Sequence, residues 1–181
     1  MLPIYIKGKD LFNPKTNEFI PVKSTTLKLE HSLVSISKWE SKWKVPFLTD
    51  KEKTNEQLMD YIRCMSISGD IDPNVLKLIT PEDKQRITDY IETKMTATWF
   101  TKIDNNGPKN SEQVTSELIY YWMIAYNIPH EYEKWHLSRL LTLIEICERK
   151  NAPAKKMSQS EIMARNKALN AQRRAAMKSK G

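Results

Sequence analysis

The chain is poor in glycine. Only 4 of its 181 residues are Gly, and Gly8, Gly69, Gly107 and Gly181 lie too far apart to form a dinucleotide or P-loop fingerprint. Cysteine is scarcer still. Cys64 and Cys147 cannot supply a disulfide framework, and small buried thiols account for two lone cysteines. No basic start followed by a long apolar stretch opens the sequence, so no secretory signal is expected. The longest apolar run, Leu118 to Tyr126, falls well short of the roughly 18 residues of a membrane span. No internal repeat is visible.

Histidine is equally sparse, with His31, His130 and His136. His130-Glu131 matches the opening of a zincin motif, but the next histidine comes six residues later. That is about 600° around a helix, so the two rings leave on different faces and cannot share a metal. Cys147 falls on an apolar stripe, which favours packing over nucleophilic chemistry. Glu82, Asp83 and Glu112 stand where a helix dipole favours negative charge. Glu117 and Glu145 come nearest to an apolar setting and are expected at helix edges. No catalytic, metal-binding or cofactor-binding constellation emerges, and a non-enzyme is expected.

Charge is present but unevenly spread. The chain carries 29 Lys+Arg against 22 Asp+Glu, a formal charge of +7. Eight of the basic residues lie between Ala154 and Gly181: Lys155, Lys156, Arg165, Lys167, Arg173, Arg174, Lys178 and Lys180. Glu161 is the one acid there. The remaining 21 basic and 21 acidic residues cancel. The sequence is a neutral body, 1–153, with a basic arm, 154–181.

Within the body, residues 1–31 alternate as short strands do, at Ile4/Ile6 and Leu27/Leu29, with Phe19-Ile20 as a third apolar patch. Two or three strands in a small antiparallel sheet are predicted. Residues 32–150 read as helical. Ser32 can cap a helix carrying Leu33, Ile36, Trp39 and Trp43, ended by Pro46. Thr54 to Gln57 is a capping box ahead of Leu58, Tyr61, Ile62 and Met65. Asp72-Pro73 and Thr80-Pro81 each pair a cap with a proline at the first helical position. They predict helices near Asn74–Ile79 and Glu82–Ile91. Met95 to Phe100 fits a strand, or a turn burying Trp99 and Phe100. Asn105 to Pro108 is a loop.

A helix starting at Asn110 with Gln113 and running to about Tyr126 is apolar nearly all round, the pattern of a central buried helix. Another is expected from about Glu131 to Lys150, with Leu137, Leu140, Leu141, Ile144 and Cys147 on one stripe. Asn151-Ala152-Pro153 marks the boundary. Beyond it Ser158 or Ser160 can cap a helix to Met177 whose apolar positions are sparse. The fold class is α+β, mostly α: a short antiparallel sheet, a helical bundle, and a basic arm that is helical or disordered.

Five tryptophans stand out for this length. Trp122 and Trp135 read as core. Trp39 and Trp43 are interleaved with Lys38, Glu40, Lys42 and Lys44, so they either cover the sheet or form a partner site. The arm binds nucleic acid through phosphates, docks on an acidic protein surface, or keeps a flexible end in solution. Its lack of aromatics disfavours generic single-strand binding.

Several blocks resemble a known family: LKLEHSLVSISKWESKW (Leu27–Trp43), MTATWF (Met95–Phe100), TSELIYYWMIAYNIP (Thr115–Pro129), KWHLSRLLTLIEIC (Lys134–Cys147) and KKMSQSEIMARNKALNAQRR (Lys155–Arg174). Together they are similar to the tail assembly chaperones of long-tailed bacteriophages, encoded beside the tape measure gene. The resemblance implies a non-enzymatic protein of the host cytoplasm. It would coat the long helical tape measure protein until tail tube subunits polymerise around it. The implied partners are the tape measure protein, the tube protein and a frameshifted longer form of the chain itself, with no membrane. Trp39, Trp43, Lys155, Lys156, Arg165, Lys167, Arg173 and Arg174 are the expected partner-binding residues. The 8 Met suit an adaptable surface for variable helices. The alternatives are a nucleic-acid-binding phage protein that uses the arm, and a structural component of the tail.

Overall fold

A computed structural model describes residues 1–49, 51–100, 113–152 and 159–177, without the side chains of 161 and 175–177. The fold is α+β and mostly α. The chain divides into two compact units, Met1–Glu148 and Arg149–Gly181.

Four strands open the first unit, where two or three were expected: β1 (Leu2–Ile6), β2 (Lys9–Asn13), β3 (Glu18–Val22) and β4 (Thr25–Leu29). They form two separate antiparallel pairs, β1 with β4 and β2 with β3. Leu2 faces Leu29, Ile6 faces Thr25, Lys9 faces Val22 and Asn13 faces Glu18. These pairs share a single register, so the four strands are one long hairpin interrupted at residues 7–8 and 23–24. At the interruption Gly8 N–H donates to Ser24 Oγ at 2.9 Å instead of to the ladder. At the tip Asn17 takes a left-handed φ of 56°, and Asn13 Oδ1 accepts from Lys15 N–H.

The two halves present opposite faces to the core. Ile4, Ile6, Leu27 and Leu29 are buried before the break. Beyond it Val22 is buried, with Leu11 and Ile20 half-buried, and Phe12 and Phe19 are exposed. A two-stranded ribbon twists more than a wide sheet, and the break adds freedom, so the second face comes round to the body. The outer edge of β4 is closed. Lys28 C=O accepts from Ile67 N–H, and Glu30 N–H donates to Met65 C=O, each at 2.9 Å. Pro3, opposite Lys28, has no N–H to strand at the open edge of β1.

Helix α1 (Leu33–Trp43) starts at Ser32, whose capping box with Ser35 is complete. It stops before Pro46, because Lys44 turns left-handed and its N–H closes on Glu40 C=O at 2.8 Å. Helix α2 (Asn55–Cys64) has the Thr54–Gln57 box in both directions. Helix α3 (Pro73–Leu76) is shorter than expected; Leu78 and Ile79 continue it only as turns. Helix α4 (Pro81–Glu92) is capped by Thr80 and Asp83.

Four expectations need correction. Trp99 is 77% exposed, not buried, and Lys94 Nζ sits 5.4 Å from its ring centroid. Helix α5 (Ser116–Ala125) is capped by Thr115; Gln113 precedes the helix, and Asn110 and the 105–108 loop lie outside the described residues. The expected 131–150 helix is broken into a 3-10 turn (His130–Lys134) and α6 (Leu137–Asn151). Of the two tryptophans read as core, Trp122 packs half-buried against it, while Trp135 is half-buried and stacked on Tyr132. On α6, Leu137, Leu140 and Ile144 are buried, with Leu141 and Cys147 half-buried.

The core gathers the proximal hairpin face, α1, α2, α4, α5 and α6 around Leu33, Ile36, Trp39, Tyr61, Ile119 and Leu140. In the second unit, α7 runs Gln159–Met177. Ser160 lies inside it, and Ser158 lies outside the described residues.

Gly8 carries the strictest backbone demand. A Cβ there would meet Val22 O at 2.3 Å and Ser24 N at 2.5 Å. Gly8→Ala should lower the unfolding free energy by about 1–3 kcal/mol, the usual cost of overpacking. Urea denaturation of the two proteins checks this.

Candidate interaction surfaces

The two leading tryptophans fall in different places. Trp39 is 1% exposed, and its Nε1–H donates to Gln57 C=O at 2.9 Å. It belongs to the core and offers a partner no surface. Trp43 is half-buried, and its Nε1–H donates to Asp60 Oδ2 at 2.9 Å. Asp60 also takes Lys42 Nζ at 2.5 Å, with Arg63 at 4.0 Å. Burial pushes the Asp60 carboxyl up, but hydrogen bonds from Lys42 and Trp43, with the Lys42 and Arg63 charges, hold it below its ordinary value. Lys42 and Trp43 therefore tie α1 to α2 through Asp60.

Glu40 belongs to the same helix and is buried, where the sequence suggested a charged rim. Its Oε1 accepts from Phe47 N–H at 2.7 Å, and its Oε2 from Ser116 N–H at 2.8 Å. One carboxylate thus holds the loop after α1 and the first turn of α5. Periodicity on α1 could have placed it inward, since it lies four residues from Ile36. Glu117 is exposed and Glu145 half-buried, as expected of helix edges.

The exposed apolar groups lie elsewhere. On α5, Ser116, Ile119 and Met123 face the core, while Tyr121 and Ile124 are 64% and 76% exposed. Glu117 and Ala125 complete that outer face. Sequence reasoning missed it because every position but the first two is apolar. On the distal hairpin Phe12 and Phe19 meet across the strands with their rings tilted, 5.3 Å between centroids. Between α2 and α4 an apolar notch of about 60 Å³ is lined by Leu58, Met59, Ile62, Ile87 and Ile91.

In the second unit, α7 carries Arg165, Lys167, Arg173 and Arg174, all exposed. Ile162, Met163 and Leu169 are exposed on the same helix. Lys155 and Lys156 lie outside the described residues.

Among the described residues, no three His, Cys, Asp or Glu side chains gather as a metal ion would require. His130 is exposed, with Nε2 3.3 Å from Glu133 Oε2, while His136 is buried. Cys64 is half-buried, and burial raises its thiol above the ordinary value, which disfavours the thiolate. No helix among the described residues is long and apolar enough to cross a membrane. No protein-family model, curated protein or solved structure matches the chain.

Glu40 sets the position of the α5 surface. Glu40→Ala should cost about 1–3 kcal/mol for each of the two backbone donors it orphans. Glu40→Gln keeps one acceptor and should fall between Ala and the parent. Thermal unfolding of the three proteins checks the order.

Proposed function

We propose that the chain is a non-enzymatic tail assembly chaperone that binds a phage tape measure protein in the host cytoplasm and keeps it from aggregating until the tube assembles. The observation that carries this reading is the outer face of α5. Tyr121 and Ile124 stand in solvent on a helix whose opposite face is fully packed. Two large apolar side chains one turn apart suit the apolar stripe of a partner helix. Tyr is among the side chains that contribute most at the centre of such contacts. The α7 helix adds three exposed apolar side chains among four cations, a composition that suits amphipathic helices bearing acidic groups. The similarity of sequence blocks across the chain points the same way.

Co-expression tests the proposal. The tape measure protein should be recovered in soluble complex with this chain and be insoluble alone. Equal solubility in both cases, with no complex, overturns it. The double substitution Tyr121→Ser with Ile124→Ser removes surface contacts only. It should keep the fold by circular dichroism and weaken the complex by roughly tenfold, the effect of about 1.4 kcal/mol.

The α7 cations support a second reading, phosphate contacts to nucleic acid. Binding would then fall steeply with salt, and Arg173→Ala with Arg174→Ala would reduce the slope. Absence of any mobility shift with DNA or RNA at low salt eliminates it.

A further inference from the structure

His136 immediately precedes α6 and caps it with its ring. Nδ1 accepts from Ser138 N–H at 3.3 Å and lies 2.9 Å from Ser138 Oγ. Nε2 lies 3.1 Å from Tyr90 C=O. A carbonyl can only accept, so Nε2 carries the ring proton and Nδ1 is bare. The amides of a first helical turn aim partial positive charge at the cap, so an uncharged acceptor fits there and a cation does not. A second proton would have to land on Nδ1 and would turn the cap into a donor facing a donor.

His31 stands edge-on to His136, with 5.1 Å between ring centroids. Its Nδ1 lies 2.5 Å from Tyr61 Oη. That hydroxyl is 3.3 Å from Ser35 Oγ, whose own proton goes to Ser32 C=O at 2.7 Å. The shorter contact takes the tyrosine proton, so His31 Nδ1 is also a bare acceptor. The two rings are 4% and 6% exposed. Backbone contacts cross at the same place. Leu137 N–H donates to His31 C=O at 2.7 Å, and Ser32 pairs with His136 in an isolated antiparallel bridge. The pair therefore occupies the seam between the β4–α1 turn and the start of α6.

The groups that face the pair are few. Tyr61 comes from α2, Ser35 from α1, Phe47 from the loop after α1, Tyr90 from α4 and Ser138 from α6. Glu30 follows β4, and the Met1 ammonium precedes β1. Glu30 is already engaged: Oε1 accepts from Tyr90 Oη at 2.6 Å, and Oε2 meets the Met1 ammonium at 2.6 Å. Among the described residues, no unengaged carboxylate faces the pair. Burial, then the neighbouring His136, bring His31 down to about 3. Burial also lowers His136, against the backbone hydrogen bond to Tyr90 and the Glu30 charge.

We propose that the two imidazoles are an acid-operated latch, in which proton uptake strips the cap from α6 and frees its first turn from the β4–α1 turn. The sign follows from linkage. Each ring is held neutral when closed and titrates near its ordinary 6.5 when open. Above that pH the latch is indifferent to protons. As pH falls below it, the open form binds a proton the closed form refuses. The opening constant then rises up to about tenfold per pH unit for each ring, until the closed-form value is reached.

Amide hydrogen exchange on the full chain tests this, read at Leu137 and Leu140 and corrected for intrinsic rates. The opening constant should rise at least roughly tenfold from pH 7 to pH 5. The double variant His31→Gln with His136→Asn keeps neutral acceptors at both places and should give a flat profile. NMR titration of the parent protein covers the case in which that variant fails to fold. His31 should stay neutral down to pH 5, and His136 should titrate below its ordinary 6.5. A flat parent profile, an unchanged slope in the double variant, or His31 and His136 titrating at or above their ordinary 6.5 each overturns the latch.

Discussion

Helix α1 buries polar groups, and beyond its Ser32–Ser35 cap they find their partners in other elements. Trp39 Nε1–H meets Gln57, Trp43 Nε1–H meets Asp60, and Glu40 meets Phe47 and Ser116. A buried donor or acceptor left alone costs more than a made bond returns. These bonds therefore do more than add stability. They select one placement of α2 and α5 around α1 and penalise displaced ones. Among the described residues, no buried side-chain nitrogen or oxygen lacks a partner. Geometric specificity in this body comes from satisfied polarity as much as from apolar packing.

The hairpin meets the same demand with backbone. One register runs its full length, yet the ladder breaks at Gly8, where Val22 O and Ser24 N come too close for a side chain. Ser24 Oγ takes over the orphaned amide. The break lets the ribbon bury one face near the body and the other beyond it, which leaves Phe12 and Phe19 to the solvent. An exposed cross-strand aromatic pair still stabilises the distal ribbon, which as an isolated two-stranded hairpin would be marginal.

Much of this was legible in the sequence, wherever the signal was local. The caps at Ser32, Thr54, Asp72 and Thr80 all start helices, because a side-chain oxygen three residues or fewer from its donor needs no tertiary help. The β-rich start and the stripe of Leu137, Leu140 and Ile144 were readable from period alone. The candidate surface was not. Glu40 read as rim because charged neighbours surround it in sequence, and Trp39 as a possible contact for the same reason. The outer face of α5 was invisible because a helix apolar on all sides carries no periodic signal of which side is covered.

The amino-acid sequence by itself determined the α+β class, the starts of α1 to α4, and the separation of a neutral body from a basic arm, since these depend on short-range backbone chemistry and on composition. Tertiary structure alone decided which apolar residues meet solvent, which carboxylates are buried, and that His31 and His136 meet edge to face although 105 positions separate their numbers. Those outcomes depend on which elements pack against which. That choice is set by polar groups far apart in the chain reaching the same partner, and no local pattern encodes it.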